Sequence, residues 1–205
     1  MKKILLACLA SITLTGGAFA APLSFDFKDP KGVNAVQFHL DSLLEPIAGT
    51  ASGVCGTVSF DPADPAATSG AIVIAADSLV VSNSTMTEHL HGGKWLDVAT
   101  HPEITFELIS LSNVATTENT TSATAQGKFT LKGVTKEISV PVKLTYLADA
   151  LEKRTRPDNK GDLLVIRGEF TIARADYGIQ PGQNEVKVNP EIKLTVAIVG
   201  SAPKA

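Results

Sequence analysis

The chain has 205 residues, of which 44% are apolar, 19% are charged and 5% are aromatic, with a formal net charge of −3. This mildly acidic balance argues against a nucleic-acid partner, because phosphate binding needs a basic face. The composition also argues against a disordered chain. No apolar run beyond the N-terminus approaches membrane-spanning length, so we expect a soluble protein without stable membrane insertion.

The first twenty residues have the pattern of a secretion signal peptide. Two lysines precede an apolar stretch over residues 4–14, and Ala18-Phe19-Ala20 places small residues where a signal peptidase reads the chain. We therefore predict that residues 1–20 are removed. Residues 21–205 would form a single periplasmic or secreted domain with a net charge of −5, because the segment contains two lysines and no acidic residue.

Cysteine content limits how the fold is stabilised. Cys8 lies in the predicted signal peptide, too early in its apolar stretch for the lipid-attachment box that it faintly resembles. Its removal leaves Cys55 as the only cysteine, which excludes an internal disulfide. The fold then depends on core burial, and Cys55 is interpreted as a small apolar strand residue.

Alternation of apolar and polar residues with period two dominates the remaining chain. This pattern predicts strands that bury one face and expose the other. About eight or more such strands in one domain favour an antiparallel β-barrel, since closure removes exposed edges; a sandwich is the alternative. The alternating segments are 36–40, 58–60, 72–74, 104–108, 129–131, 138–146, 170–172 and 186–198.

Turn and loop signals separate these segments. Lys132-Gly133-Val134-Thr135 predicts a short hairpin turn. The Thr, Ser and Asn residues of 112–126 predict an exposed loop around a hairpin, and the charged residues of 148–161 predict a solvated loop. Pro141 and Pro190 each lack a ladder donor, so they indicate bulges or strand edges.

Only one segment has a helical pattern. Thr85 and Glu88 have the spacing of a capping box, in which each side chain caps the backbone amide of the other. Gly92-Gly93 then ends the helix.

Four short segments stand out in chain order: Phe60–Pro65, His101–Phe106, Gly127–Lys136 and Ile172–Ile179. The third is similar to the hairpin pattern G-x-[LF]-T-[IL]-x-G-V-T-K, and the fourth is similar to the signature R-x-D-[FY]-G-I. Together they resemble the YceI family of secreted lipid-binding proteins, over about residues 33–199. The resemblance implies an extended lipocalin-like antiparallel β-barrel with one short helical excursion. It also implies a long apolar pocket for isoprenoid-type chains.

The helical segment departs from the family pattern D-x-H-L-R-S-x-D-F-F-D. This chain keeps His89-Leu90 and Asp97, but it has His91 in place of the arginine and Trp95-Leu96 in place of the phenylalanine pair. Because this segment packs near the barrel in the family, the resemblance implies that ligand choice differs here.

Candidate pocket-wall residues come from the alternating strands and from the helical segment. A barrel of about eight strands holds one slender ligand, and each buried methylene contributes about 0.8 kcal/mol. Arg174 is the candidate contact for a ligand head group; the alternative is that it pairs with Asp176 or fixes a turn. The predicted wall residues are Phe38, Phe60, Phe106, Phe129, Phe170, Leu90, Trp95 and Leu96.

The expected function is that of a carrier for an isoprenoid or other lipid, serving transport, storage or stress protection, without catalysis or a cofactor. We find no nucleophile elbow, phosphate-binding glycine loop or zinc-hydrolase helix in the sequence. Two alternatives stay open. One is a metal-binding protein or metal-assisted enzyme that uses His89, His91 and His101, although positions two apart diverge on a helix. The other is an interaction protein with a solid core, which leaves a homodimer open.

Overall fold

The computed structural model describes residues 21–204, and the predicted signal peptide lies outside them. Helix α1 (Ser84–His91) lies between the sixth and seventh strands, and the short helix α2 (Leu151–Arg154) lies between the ninth and tenth. The strands are β1 (Leu23–Asp26), β2 (Ala35–Asp41), β3 (Pro46–Ala51), β4 (Val54–Phe60), β5 (Ser69–Ala75), β6 (Leu79–Val81), β7 (Glu103–Thr117), β8 (Thr120–Leu131), β9 (Val134–Leu147), β10 (Gly161–Ala173) and β11 (Glu191–Pro203).

All described strands belong to one antiparallel sheet. Eight of them form a closed ring in the order β1-β4-β5-β7-β8-β9-β10-β11, and β1 returns to β11 through the pair Asp26 and Ser201. Strands β2, β3 and β6 continue the sheet from β11, where β2 pairs with Lys193–Ala197. The predicted antiparallel barrel is therefore confirmed, and the sandwich alternative is wrong.

A buried asparagine completes the ring where β1 and β2 share β11. The Asn34 Nδ2 donates to the carbonyl oxygens of Phe27 and Val199, each at 3.0 Å. The Val199 N–H donates to Asn34 Oδ1 at 2.9 Å. Because β2 pairing ends at Ala197 and β1 pairing lies at Ser201, the amide side chain takes the place of a missing strand backbone between them.

Helix α1 begins earlier than the capping-box pattern predicts. Its N-cap is Asn83, whose side chain accepts a hydrogen bond from the Met86 N–H at 3.0 Å. The prediction of Thr85 as N-cap is wrong, because asparagine, two residues upstream, is a stronger N-cap than threonine. The helix ends as expected at Gly92, whose N–H donates to the His89 carbonyl.

The hairpin predicted within residues 112–126 is present, but its two arms are strands rather than exposed loop. They belong to a long hairpin of β7 and β8, whose turn is at Glu118 and Asn119. Threonine is favoured in strands, and Ala123 and Ala125 alternate inward with exposed polar neighbours. The polar composition therefore marks the outer face of a strand pair. The predicted solvated loop over 148–161 likewise contains α2.

Two turn and edge predictions are confirmed. Lys132 and Gly133 join β8 to β9 with φ of 49° and 74°, the left-handed pair that a tight hairpin requires. Strand β9 pairs with β10 only from Val142 onward, so Pro141 lies where the two strands separate. The two larger clusters of buried side chains are one around Phe38, Phe129 and Tyr177 and one around Phe25, Phe60 and Leu164.

Candidate ligand-binding cavity

An apolar cavity of about 600 Å³ runs through the interior of the barrel. Its size lies within the range of small-molecule sites, about 300–1,000 Å³. Side chains from both core clusters line it, so it extends along the barrel rather than lying at one end. The apolar lining includes Val36, Leu40, Ile47, Val58, Ile72, Ile74, Leu79, Ile104, Leu108, Leu111, Leu131, Val140, Val142, Leu144, Ile166, Ile172, Leu194, Val196 and Ile198.

Small residues at inward-facing positions keep the interior open. Gly168 and Ala125 line the cavity where a larger side chain would take up part of its volume. A Cβ on Gly49 would lie 2.2 Å from Cζ of Phe38 in the next strand. The Phe38 ring, which lines the cavity, therefore occupies the space over Gly49 that a side chain would otherwise take.

The mouth of the cavity is identified by its solvent-exposed lining residues. These are His89 of α1, and Asn184 and Lys187 of the loop between β10 and β11. Glu45, in the turn between β2 and β3, is half-buried beside them in the lining. The ionisable lining residues among 21–204 are therefore all at this end, and the rest of the wall is uncharged.

The other end of the cavity is closed by aromatic rings. Phe25 and Phe60 meet edge to face at 6.5 Å between ring centroids, and Phe25 lies at 6.3 Å from Tyr146. This group belongs to the same cluster as Leu144 and Ile198, which line the cavity. The predicted wall residue Phe60 is thus not in the lining; its ring packs behind it, in the closed end.

The structure brings the other predicted wall residues together around the cavity. Phe129 contacts Phe170 and Tyr177 edge to face, with centroids 5.9 and 5.6 Å apart. Leu96 is buried, while Leu90 and Trp95 pack against the same cluster. Their role in holding a ligand stays a prediction. The predicted residues in the lining are Phe38, Phe106, Phe129, Phe170, Leu90, Trp95 and Leu96.

Arg174 lies inside the protein rather than at the mouth. Its side chain is 1% exposed, and its five N–H groups each donate to a backbone carbonyl. Asp176 does not pair with it, since this carboxylate lies 3.2 Å from Lys136 Nζ. The head-group interpretation of Arg174 therefore disagrees with the geometry, and the turn-fixing alternative fits. The acceptors are the carbonyls of Ile179, Gln180, Gln183, Val188 and Asn189.

The histidines singled out in the sequence do not converge. His91 Nε2 lies 2.7 Å from the Leu79 carbonyl oxygen, which holds α1 against β6. The ring of His101 covers Gly133, where an added Cβ would lie 2.6 Å from Cε1. Of these three histidines, only His89 lines the mouth of the cavity. Within residues 21–204, no three His, Cys, Asp or Glu side chains are placed to hold a metal ion, so the metal alternative finds no site there.

Sequence reasoning missed the polar residues of the mouth. Glu45, Asn184 and Lys187 lie in connections without hydrophobic periodicity, and no local pattern distinguishes them from other surface residues. They come together because the turn after β2 contacts the loop before β11, with Ser42 Oγ donating to the Lys187 carbonyl at 2.6 Å. That contact joins segments 145 residues apart.

The described strands form a closed antiparallel barrel around an apolar cavity, and the charged residues of the cavity lining lie at one end. This arrangement defines the lipocalin-like class of fold. Residues 27–200 match the YceI-like domain, and the chain belongs to that family.

Relatives of known sequence and structure agree with this assignment. The UPF0312 protein of Pseudomonas aeruginosa (strain LESB58) is 27% identical over 194 residues, which cover 92% of this chain and 95% of that protein. The fold is similar to that of BcnA from Burkholderia cenocepacia, with a TM-score of 0.66, 21% identity, and coverage of 81% of this chain and 95% of that one. It is also similar to a polyisoprenoid binding domain from Saccharophagus degradans, with a TM-score of 0.62, 12% identity, and coverage of 89% and 99%.

Within residues 21–204 no helix combines the length and the apolar character needed to cross a membrane.

Proposed function

We propose that this protein is a periplasmic or secreted carrier that holds one amphiphilic isoprenoid or similar lipid chain inside its barrel. The cavity of about 600 Å³, uncharged except at its mouth, is the observation that carries this proposal. An apolar chain fits the wall, and its polar head stays at the wet end. The name of the Saccharophagus degradans domain, which is a polyisoprenoid binding domain, supports the same ligand class.

Burial of the chain supplies the binding free energy. Each buried methylene contributes about 0.8 kcal/mol, so ten methylene equivalents contribute about 8 kcal/mol. The cost of immobilising the chain is subtracted from this gross free energy, so the affinity depends on how much of the chain is buried. Because one methylene more or less changes affinity only modestly, the carrier accepts chains of similar length.

The head group is oriented by the polar residues of the mouth. Lys187 offers hydrogen-bond donors and a positive charge, the His89 imidazole offers a ring nitrogen, and the Asn184 amide offers both a donor and an acceptor. A head group that carries both a hydroxyl and acceptor oxygens suits this set, because Lys187 and Asn184 donate hydrogen bonds while the Glu45 carboxylate in the same lining accepts one. The protein performs no chemistry on the ligand and serves to shield it from water during transport or storage.

The test combines ligand identification with a cavity-filling variant. Native mass spectrometry of the purified protein, followed by solvent extraction, is expected to show a lipid of defined mass at about one per chain. Ala125 lines the cavity and Gln126 faces outward on the same strand, so A125F and Q126F add the same ring to opposite faces. We expect A125F to lose most binding of a polyprenyl phosphate and Q126F to keep it.

Comparable melting temperatures for the two variants would show that both are folded. Equal binding by A125F and Q126F would contradict a ligand inside the barrel. Failure of the parent protein to bind any polyprenyl or acyl lipid would refute the carrier function.

A further inference from the structure

Exposed apolar side chains are concentrated beside the mouth of the cavity. Leu43 and Leu44, in the turn between β2 and β3, are 87% and 60% exposed, and Val186, in the loop between β10 and β11, is 58% exposed. Large aliphatic side chains this exposed, and grouped together, mark an interaction surface rather than chance exposure. We call Leu43, Leu44 and Val186 the apolar tip.

The two loops that carry the apolar tip are joined to one another. Ser42 Oγ donates to the Lys187 carbonyl at 2.6 Å, and Asn189 Nδ2 donates to the Asp41 carbonyl at 2.6 Å. The three apolar side chains therefore belong to one surface. Five backbone carbonyls of the second loop bind the buried Arg174 guanidinium, which holds that loop in shape.

The apolar tip is continuous with the cavity. Glu45 follows Leu44 in the chain and Lys187 follows Val186, and both of these charged residues line the mouth. A chain that leaves the cavity therefore meets the apolar tip directly.

The charges around the apolar tip select the kind of surface that it contacts. Asp41, Glu45 and Glu185 place three carboxylates next to the tip, against the single ammonium group of Lys187. This excess of negative charge opposes an anionic bilayer. It complements the outward-facing ammonium groups of a zwitterionic phospholipid layer, while the aliphatic side chains enter the headgroup–acyl boundary.

We infer that the apolar tip docks the protein on a zwitterionic phospholipid bilayer and places the cavity mouth against it. On the proposed carrier function, this contact lets an apolar chain move between bilayer and barrel without crossing water. The docking itself does not depend on a bound ligand. The contact is peripheral and reversible, since only three side chains enter the lipid.

The experiment is flotation of the purified protein with vesicles of phosphatidylethanolamine and phosphatidylcholine. We expect the protein to float with these vesicles. The double variant L43S/L44S should lower the partition coefficient about tenfold or more, because each leucine loses the gain from apolar burial. Replacing part of the lipid with phosphatidylglycerol should weaken binding.

Matched controls come from exposed aliphatic side chains outside the tip. Val33 and Ile109 are 61% and 51% exposed. The double variant V33S/I109S therefore removes a similar apolar area from other positions, and it should float like the parent. Equal flotation of L43S/L44S and the parent would overturn the inference, as would failure of the parent to float. Dissociation of a parent dimer by L43S/L44S, without flotation, would also overturn it and assign the tip to a second copy of this chain.

A second measurement separates this inference from the proposed function. Binding of a short, water-dispersed polyprenyl phosphate in the absence of vesicles should be the same for L43S/L44S and the parent. A parent that floats but binds no polyprenyl phosphate would keep the docking surface and refute the carrier function. A parent that binds the ligand but does not float would keep the carrier function and refute the docking surface.

Discussion

The ring of Phe106 in β7 lies against the backbone of Gly127 in the neighbouring strand β8. A Cβ on Gly127 would lie 2.4 Å from Phe106 Cζ and 2.6 Å from the Glu107 carbonyl oxygen. Neither distance is tolerated, so an alanine must move the ring and the adjoining strand. Because Phe106 lines the cavity, this contact couples the packing of the sheet to the shape of the site.

The variant G127A tests that coupling. We expect it to lower the free energy of unfolding by about 1–3 kcal/mol, the usual cost of overpacking. It should also weaken binding of a polyprenyl phosphate, because the displaced ring enters the cavity. Urea unfolding and ligand titration measure both effects. G93A is the control, since its nearest neighbour would be 3.9 Å away; equal effects of the two variants would contradict the proposed contact.

Asn34 should be essential for closing the barrel. Asn34→Ala leaves the Phe27 carbonyl and both backbone groups of Val199 without their partner. Unpaired buried groups are costly, so we expect a loss of about 2–4 kcal/mol in the free energy of unfolding. Chemical denaturation with an unchanged m-value would measure it. Asn159→Ala, at an exposed position, should change stability by less than about 0.5 kcal/mol.

Arg174 should hold the loop that forms one side of the mouth. Arg174→Lys keeps the charge but offers three donors in place of five, so some loop carbonyls lose their partners. We expect faster amide hydrogen exchange across residues 179–189 and weaker ligand binding, with the strand amides little changed. Arg156→Lys, on the surface, serves as the control. Unaltered exchange in Arg174→Lys would show that the guanidinium does not organise the loop.

Acid should destabilise the protein through two buried carboxylates. Burial by itself raises the pKa of Asp162, but hydrogen bonds from Lys204, the Asp149 N–H and the Tyr146 hydroxyl outweigh it and leave the pKa below its ordinary value. Burial also raises the pKa of Asp29. Hydrogen bonds from three backbone N–H groups, together with the charge of Arg154, outweigh the effect of burial and leave this pKa below its ordinary value.

The sign of the pH dependence follows from these directions. A carboxylate whose pKa is lower in the folded state stabilises the fold above its unfolded pKa of about 3.9, and this stabilisation is lost as the pH falls through the folded pKa. We expect the free energy of unfolding to decrease as the pH is lowered from about 4. Asp162→Asn should be about 1–2 kcal/mol less stable at pH 7 and flatter in acid. An acid profile as steep as that of the parent would refute the assignment.

Most of the barrel could be predicted from local pattern. Period-two alternation specifies which residues share a face, and it correctly indicated the strands that carry Phe38, Phe129 and Phe170. The hairpin at Lys132-Gly133 was also readable, because its left-handed backbone requires particular residue types. The same local pattern indicated a hairpin within 112–126 but not that its arms are strands, because a polar outer face resembles a loop in composition.

The alternating pattern does not predict how far along the barrel axis a side chain lies. Phe60 has the same alternating context as Phe38, yet its ring packs behind the lining with Phe25 and Tyr146. Alternation assigns a face to a side chain, whereas the depth of that side chain depends on where its strand lies in the ring. The prediction that Arg174 contacts a ligand head group failed for a related reason. Its partners are backbone carbonyls, which carry no signal in the sequence.

The sequence by itself determined the alternating segments of eight strands, the faces that these segments bury and the family, because these depend on neighbouring residues and short motifs. Only the tertiary structure decided that the barrel is hollow and where it opens. The mouth combines α1, the turn after β2 and the loop before β11, which meet only after the ring has closed. Contacts between segments so far apart in the chain arise from packing, and no local pattern encodes them.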